Sequence, residues 1–319
     1  MLIRRLLGAA ALVIVLTAGA TPPTPPRVTV LAFFEERGGA AAFARLQAEA
    51  SRISVLIPET YAFDPGTQRA VLQSLPRPAV VSFARGKGIG IWPAVNAQLN
   101  GARLFDDPAK RARAVASLAA VAANWDGVTV DIEGVAPLDG EGFTAFVQAL
   151  AHAVHAENRG IAIYLPRRTA TNVTTWAEPY DYAAIAAVCD HVLVGSYPES
   201  WTSPGPVVSN AGFSSLLSYL SGISLTATSP TIGTLSQSWT PAAKTPVVGL
   251  SDVLGAPAGR VPLAVRGGES GFHTDAGTTV WYETPRALIA RIEAARKAGF
   301  HSVGLFILGH EPLAFWNQT

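Results

Sequence analysis

Two carboxylates lie two positions apart in the segment WDGVTVDIE at residues 125–133, and this spacing could carry out acid–base chemistry. Side chains alternate between the faces of a strand, so the apolar residues would share one face and Thr129, Asp131 and Glu133 the other. Residues i and i+2 on one face lie roughly 6–7 Å apart, and like charges at that distance raise the pKa of one of them. The pair could therefore hold a proton for general acid catalysis.

The spacing alone leaves other interpretations of this pair open. A DxE pair at a strand end could also bind a metal, form salt bridges with arginines, or belong to a solvated loop. The six histidines form no HExxH or comparable metal motif, and the sequence has no GxSxG nucleophile elbow. No GxGxxG follows the first strand, and no segment has the spacing of a P-loop. We therefore expect neither a metal nor a cofactor.

The elements that must position these residues alternate between short apolar runs and Ala-rich helical stretches from residue 28 onward. This alternation predicts a parallel sheet with helical crossovers. Eight such units fit a single (β/α)8 TIM barrel of the α/β class, with an open doubly wound sheet as the alternative. Glu133 would then lie at the carboxyl end of its strand, where barrel enzymes place their chemistry.

Three segments are harder to assign from the pattern. Residues 68–75 are predicted to form a helix, and residues 79–83 to form the third strand together with 90–95. The seventh strand is predicted at 261–265, with 246–250 as the alternative. Residues 199–245 are predicted to form an elaborated loop around a short helix, and no second domain is expected.

The N-terminus has the pattern of a secretory signal peptide. Arg4 and Arg5 precede an apolar run at 6–16, and small residues at 18 and 20 form a cleavage pattern. We expect a signal peptide over 1–20, a Pro-rich spacer over 21–27 and the barrel over 28–319. The mature protein would be secreted or periplasmic without a membrane span; an uncleaved signal anchor is the alternative.

Composition excludes several classes of protein. Among 319 residues, 24 Lys and Arg balance 23 Asp and Glu, and there is no basic stripe, so we expect no nucleic-acid partner. The chain is 49% hydrophobic and 15% charged, which argues against disorder. The lone cysteine, Cys189, excludes a disulfide framework and a cysteine zinc site.

The segment 125–133 resembles the DGxDxDxE signature of glycoside hydrolase family 18, the chitinase-like (β/α)8 enzymes. It is most similar to the short bacterial branch that includes spore-cortex-lytic N-acetylglucosaminidases. Further stretches resemble this branch in the same order and extend the similarity over nearly everything after Arg27: residues 56–66, residues 180–192, the tyrosine of an MxYD-like motif at Tyr197, VWYE at 280–283 and LGHEP at 308–312.

The resemblance implies a glycosidase that acts on an oligo- or polysaccharide of N-acetylated amino sugars, such as peptidoglycan or a chitin-like glycan. These enzymes retain configuration by substrate assistance: the N-acetyl oxygen of the substrate attacks the anomeric carbon. By motif position, Glu133 would be the acid/base, Asp131 would orient the acetamido group, and Tyr197 would hydrogen-bond that group's oxygen.

The sequence departs from the family pattern at three positions. Thr129 occupies the place of the middle Asp, Pro198 replaces the Asp of MxYD, and Phe306 stands where the family usually has a tryptophan. These departures keep a second hypothesis open, namely a non-catalytic glycan-binding barrel descended from such an enzyme.

Further residues are candidates for substrate contact because of their type and place. Besides Thr129 and Phe306, the expected contacts are the aromatic residues Trp92 and Trp281, together with Glu59, Tyr61 and Asn96, which follow the second and third strands. Aromatic faces stack on sugars, but the same residues are equally suited to packing.

Overall fold

The computed structural model describes residues 27–36, 39–242, 245–250, 261–266, 269–273 and 277–319. The predicted signal peptide and all but the last residue of the spacer lie outside these ranges. The described residues form fifteen strands, which are in chain order β1 Thr29–Phe34, β2 Ile53–Asp64, β3 Arg69–Leu72, β4 Gly90–Ile91, β5 Ala94–Gln98, β6 Gly127–Glu133, β7 Gly160–Leu165, β8 His191–Gly195, β9 Thr228–Gly233, β10 Leu235–Trp239, β11 Val247–Leu250, β12 Val261–Arg266, β13 Glu269–His273, β14 Thr279–Tyr282 and β15 Ser302–Phe306.

Eight of these strands close into a parallel barrel, which confirms the predicted fold class. They pair in the order β1, β2, β5, β6, β7, β8, β9, β15, and β15 pairs again with β1. The open doubly wound sheet is excluded because such a sheet would leave two unpaired edges. The short strand β4 pairs with the start of β2, and β3 folds back antiparallel on its end.

The helices surround this barrel: α1 Gly39–Glu49, α2 Pro78–Gly86, α3 Pro108–Asn124, α4 Gly140–Ala156, α5 Tyr182–Ala186, α6 Asn210–Ser221 and α7 Pro285–Lys297. Side-chain caps fix several of their starts, since Asp107, Ser209 and Thr284 each accept a backbone N–H from the first turn of α3, α6 and α7. None of the helices in the described ranges is both long and apolar enough to cross a membrane.

Apolar residues form one cluster inside the barrel and a larger one between the strands and the helices. The inner cluster comprises Leu31, Phe33, Val55, Ile57, Ala94, Ala162, Leu193 and Ile307. The outer cluster takes the opposite face of the same strands and packs it against residues of the helices. The barrel therefore has a filled interior, and its inward-facing positions can be read from the alternation along each strand.

Two predicted elements near the third strand are wrong. The predicted helix 68–75 is strand β3, and the predicted strand 79–83 is helix α2. Pro78 suits the first turn of a helix, and Val80 and Ala84 are buried four residues apart on one helix face. The third barrel strand is β5, which begins at Ala94.

The predicted seventh strand is also wrong, because the barrel uses β9 in this place. Its sequence TSPTIG is polar, yet all six residues are buried. The hydroxyls are paired internally: Ser229 Oγ and Ser302 Oγ lie 2.6 Å apart, and Thr228 Oγ1 donates to the carbonyl of Ser224. A strand whose polar groups are satisfied by its neighbours has no hydrophobic signature to detect.

Both segments proposed for the seventh strand belong to a second sheet. This five-stranded antiparallel sheet has the order β11, β10, β14, β13, β12 and is inserted between β9 and α7. Leu235 starts β10 two residues after β9 ends at Gly233, so the sheet stands at the carboxyl end of the barrel. The predicted loop region 199–245 thus contains α6, as expected, and also β9 and β10.

Candidate functional site

Strand β6 carries the two acidic residues on its inward face. Val128, Val130 and Ile132 belong to the outer cluster between the barrel and the helices. Because side chains alternate along a strand, Asp131 and Glu133 point to the barrel interior. Glu133 is the last residue of β6, so its carboxyl group lies at the carboxyl end of the barrel, which we call the mouth.

Glu133 is half-buried and accepts a hydrogen bond from the neighbouring strand. The Gln98 amide on β5 donates to Glu133 Oε2. Burial raises the pKa of Glu133 above its usual range, and the Gln98 and Trp176 side chains oppose this shift because they favour the carboxylate. The net upward shift keeps a proton on Glu133 at higher pH than on an exposed glutamate, as a general acid requires.

Asp131 lies one layer deeper and is surrounded by other acids. Burial raises its pKa well above the usual range, and the charges of Glu133 and Glu59 raise it further. Asp131 is the register partner of Asn96 on β5. The Oδ1 atoms of both residues are buried without a hydrogen-bond partner in the described part of the chain. Two acceptors inside the mouth are therefore available to donors of a ligand.

Two tyrosines and two phenylalanines line the mouth from β7 round to β1. Tyr197, just after β8, and Phe306, at the end of β15, have ring centroids 6.2 Å apart. Phe33 packs against Phe306 at 5.3 Å and against Tyr164 at 6.3 Å. Burial raises the pKa of Tyr197, and the charges of Asp131, Glu133 and Glu59 add to this shift. Both phenols therefore stay protonated and can donate hydrogen bonds.

The structure thus brings several predicted residues, and Tyr164 in addition, together in what we call the mouth group. Its members share the carboxyl end of the barrel and either contact one another or influence one another electrostatically. They are Glu59, Asn96, Asp131, Glu133, Tyr164, Tyr197 and Phe306.

Trp92 is not part of the mouth group. Its indole lies over Gly127 and Gly160, the first residues of β6 and β7, and 5.7 Å from the ring of His191, the first residue of β8. These positions mark the amino-terminal end of the barrel, opposite the mouth. Thr129 is fully buried one layer above and donates to the Trp92 carbonyl at 3.0 Å. We therefore do not retain either residue as a substrate contact.

Tyr61 is directed away from the mouth by a bulge in β2. The register of β2 on β5 shifts between Glu59, which pairs with Ala94, and Tyr61, which pairs with Val95. The extra residue reverses the alternation, so that Glu59 shares the side of inward-facing Ala94 while Tyr61 joins the outer cluster. The Tyr61 hydroxyl accepts a hydrogen bond from the Trp125 indole at 3.3 Å. Tyr61 is thus a packing residue.

Trp281 lies in the second sheet. It stands directly opposite Gln237 in the pairing of β10 with β14, and opposed residues of an antiparallel pair share one face. Gln237 Nε2 donates to the carbonyl of Ser200 in the loop after β8, at 2.8 Å. Trp281 therefore lies on the face of the second sheet that is turned to the loops of the barrel.

Three residues around the two acids escaped the analysis of the sequence: Gln98, Tyr164 and Trp176. The first two occupy inward positions by alternation, two residues from Asn96 and Ala162, and could have been found by extending the two-residue period along those strands. Trp176 comes from the loop between β7 and α5, is 43% exposed, and has no periodic signal.

A metal site finds no support within the described ranges, where no three His, Cys, Asp or Glu side chains are grouped as ligands would be. Cys189 is buried, and burial raises the pKa of its thiol to about 12. It is therefore unreactive and packs in the outer cluster.

Comparisons with known proteins show which solved structures this barrel resembles. No protein-family model matches the chain. A chitinase from Chromobacterium violaceum ATCC 12472 has a similar structure, with a TM-score of 0.75 and 24% identity over 91% of this chain and 97% of that one. The Bacillus megaterium QM B1551 spore cortex-lytic enzyme SleL gives a TM-score of 0.74 at 16% identity, covering 93% of this chain and 74% of that one.

A third solved structure and a curated relative agree with these two. A glycoside hydrolase family 18 N-acetylglucosaminidase from Paenibacillus barengoltzii has a TM-score of 0.73 at 12% identity, over 92% of this chain and all (100%) of that one. The "Uncharacterized glycosylase YvbX" of Bacillus subtilis (strain 168) is 25% identical over 194 residues, which are 56% of this chain. The chain spans about half of that relative, 55% of its length. The predicted resemblance is confirmed: this chain has the chitinase-like (β/α)8 fold.

Proposed function

We propose that this protein is a glycosidase that hydrolyses β-linked N-acetylated amino-sugar glycans, of the peptidoglycan or chitin type. The observation that carries the proposal is the pairing of Glu133 and Asp131 on one inward face at the mouth, with Asp131 Oδ1 buried and lacking a donor. An acetamido N–H is a donor that fits this acceptor. The names of the similar structures, which include a chitinase and a cortex-lytic enzyme, agree with this substrate class.

In the first step, the carbonyl oxygen of the substrate's acetamido group would attack the anomeric carbon while the glycosidic bond breaks. Glu133 would give its proton to the leaving oxygen, and its raised pKa keeps that proton available. Positive charge would develop on the acetamido group and lower the pKa of Asp131, so that Asp131 would accept the acetamido N–H as a carboxylate and stabilise this charge. Tyr197 would donate a hydrogen bond from its hydroxyl to the acetamido oxygen and hold that oxygen in position to attack the anomeric carbon.

In the second step, Glu133, now a carboxylate, would take a proton from water, and the oxygen of that water would attack the anomeric carbon. This reopens the intermediate and restores both the acetamido group and the protonated acid. The configuration at the anomeric carbon is retained because two displacements occur in sequence.

Turnover of purified protein on N-acetylglucosaminide reporters, chitin oligomers and cell-wall glycan strands tests the proposal. Glu133→Gln should lower kcat by about two orders of magnitude or more, with an unchanged circular dichroism spectrum. Glu141→Gln is the matched control, because Glu141 is exposed in the first turn of α4. Full activity of the Glu133→Gln protein would refute the assignment.

A glycan-binding barrel without turnover is the second candidate, favoured by Thr129, Pro198 and Phe306 at positions where the family differs. Its expected result is measurable binding of chitin oligomers by calorimetry with no product from wild-type protein over days. The proposed secreted or periplasmic location rests on the N-terminal pattern, which lies outside the described residues.

A further inference from the structure

Tyr164 is a half-buried tyrosine at the mouth that the proposed reaction does not yet use. It lies on β7, and its ring meets the ring of Phe33 edge-on, with an angle of 90° between their planes. Burial raises the pKa of its hydroxyl well above the usual range, and Tyr197, Glu133 and Asp131 add to the shift. The Tyr164 hydroxyl therefore lies within electrostatic reach of all three groups that would carry the chemistry.

Two glycines make room for the two phenols. A Cβ on Gly195, the last residue of β8, would lie 2.2 Å from the Tyr164 hydroxyl oxygen. A Cβ on Gly233, the last residue of β9, would lie 2.4 Å from Cε1 of the Tyr197 ring. Neither position could carry a side chain while the two tyrosines stay where they are. Adjacent barrel strands therefore end in glycine where the two tyrosines come together.

The same Cβ on Gly195 would lie 3.4 Å from the backbone oxygen of Tyr197, so Tyr164 and Tyr197 are neighbours, and their side chains shift one another's pKa as the two partners of a hydrogen bond do. A phenol has a single hydrogen to donate, whereas its oxygen can accept. If Tyr197 gives its hydrogen to a substrate, the hydrogen between the two tyrosines must come from Tyr164. A Tyr197 hydroxyl without this partner would be free to turn its hydrogen toward Asp131 or Glu133.

We propose that Tyr164 is a positioning residue for Tyr197: it donates to the Tyr197 oxygen and so directs the Tyr197 hydrogen at the acetamido oxygen of the substrate. The inference rests on the proposed function and adds a residue to it. Tyr164 acts through Tyr197, so its hydroxyl matters only while the Tyr197 hydroxyl is present.

A double-mutant cycle on kcat and KM tests this dependence. Tyr164→Phe should lower kcat about tenfold and change KM little, because the contact that weakens is one made during bond cleavage. In a Tyr197→Phe background, the same substitution should have no further effect on kcat. Tyr182→Phe is the matched control: its hydroxyl is buried on the Pro166 carbonyl at 2.6 Å, and its removal should leave kcat unchanged.

Two results would overturn the inference: full kcat in Tyr164→Phe, or an equal loss in the wild-type and Tyr197→Phe backgrounds. The proposed function fails separately, when wild-type protein gives no more product than Glu133→Gln, and the inference then falls with it. Activity of the wild type together with an undiminished Tyr164→Phe refutes the positioning role alone.

The geometry has its own test, which needs no turnover. Gly195→Ala should lower the melting temperature more in the wild type than in Tyr164→Phe, because the second protein lacks the oxygen that the new methyl group would strike. Equal losses in both backgrounds would show that Tyr164 does not lie against Gly195, which would remove the basis of the inference even if a variant is too unstable for kinetics.

Discussion

Gln98 and Glu133 are register partners on β5 and β6, and the Gln98 amide donates a hydrogen bond to the Glu133 carboxylate. The bond opposes the effect of burial on the same carboxyl group: burial favours the protonated acid, and the amide favours the carboxylate. The pKa of Glu133 thus depends on a hydrogen bond from the neighbouring strand β5 as well as on burial.

Gln98→Met should therefore raise the pKa of Glu133, because it removes a donor and leaves burial in place. An acid that must be protonated loses activity as pH rises through its pKa, so the alkaline limb of kcat/KM should move to higher pH. The measurement is a pH profile of kcat/KM on a reporter glycoside. Gln73→Met, at an exposed position, serves as the control. A limb that moves to lower pH would contradict the role given to Gln98.

Trp176, in the loop between β7 and α5, also lowers the pKa of Glu133. Trp176→Phe keeps an aromatic ring but loses the indole N–H, so it should shift the alkaline limb in the same direction as Gln98→Met. Trp201→Phe is a suitable control, since Trp201 is comparably exposed at 49% and lies in the following barrel loop. Identical pH profiles of Trp176→Phe and wild type would show that the Trp176 indole does not act on the Glu133 carboxyl group.

The raised pKa of Glu133 also predicts how stability depends on pH. The folded protein binds this proton more tightly than the unfolded chain. Below the ordinary pKa of a glutamate, the Glu133 carboxyl group therefore costs no stability. The free energy of unfolding falls as pH rises above that value and through the raised pKa. Glu133→Gln removes this loss. We expect its melting temperature at pH 7 to exceed that of the wild type, because the neutral amide avoids the cost of burying a carboxylate.

This gain should shrink as pH is lowered toward 4, where Glu133 is protonated in both states. Differential scanning fluorimetry across pH 4–8 on Glu133→Gln and Glu141→Gln measures it. A variant that is less stable than wild type at pH 7 would show that Glu133 is held mainly by favourable contacts with its carboxylate.

The bulge in β2 separates two residues that the sequence placed together. Tyr61→Phe should leave turnover unchanged and lower the melting temperature, because the Trp125 indole loses its acceptor. Glu59→Gln should change turnover instead, because its charge reaches Asp131 and Tyr197. Kinetics and thermal unfolding of both variants check this, and the reverse pattern would place Tyr61 in the mouth.

At the amino-terminal end of the barrel, we predict a substitution that lowers stability and leaves turnover unchanged. A Cβ on Gly160 would lie 2.0 Å from Cζ2 of Trp92, so Gly160→Ala should destabilise the protein by about 1–3 kcal/mol. Gly86→Ala is the control, since nothing lies within 4 Å of its new methyl group. Denaturant unfolding measures both, and the residual kcat/KM of folded Gly160→Ala should equal that of the wild type.

The sequence by itself determined the barrel and the central acids, because both depend on local patterns. Alternating strands and helices predict a parallel sheet, and the two-residue period of β6 separates the acids from the apolar face without reference to any other segment. The strand β9 could not be found in this way, because it consists largely of polar residues. Its Thr and Ser side chains can be buried because their hydroxyls form hydrogen bonds with neighbouring elements.

Only the tertiary structure decided which candidates meet at the mouth. A single extra residue in β2 turns Tyr61 outward. The Trp92 side chain lies in a layer at the amino-terminal end of the barrel, away from the mouth. Gln98, Tyr164 and Trp176 enter because three separate segments converge on two carboxylates. Periodicity gives the face of a residue, whereas register between strands gives its depth and its neighbours, and register is fixed only when the barrel closes.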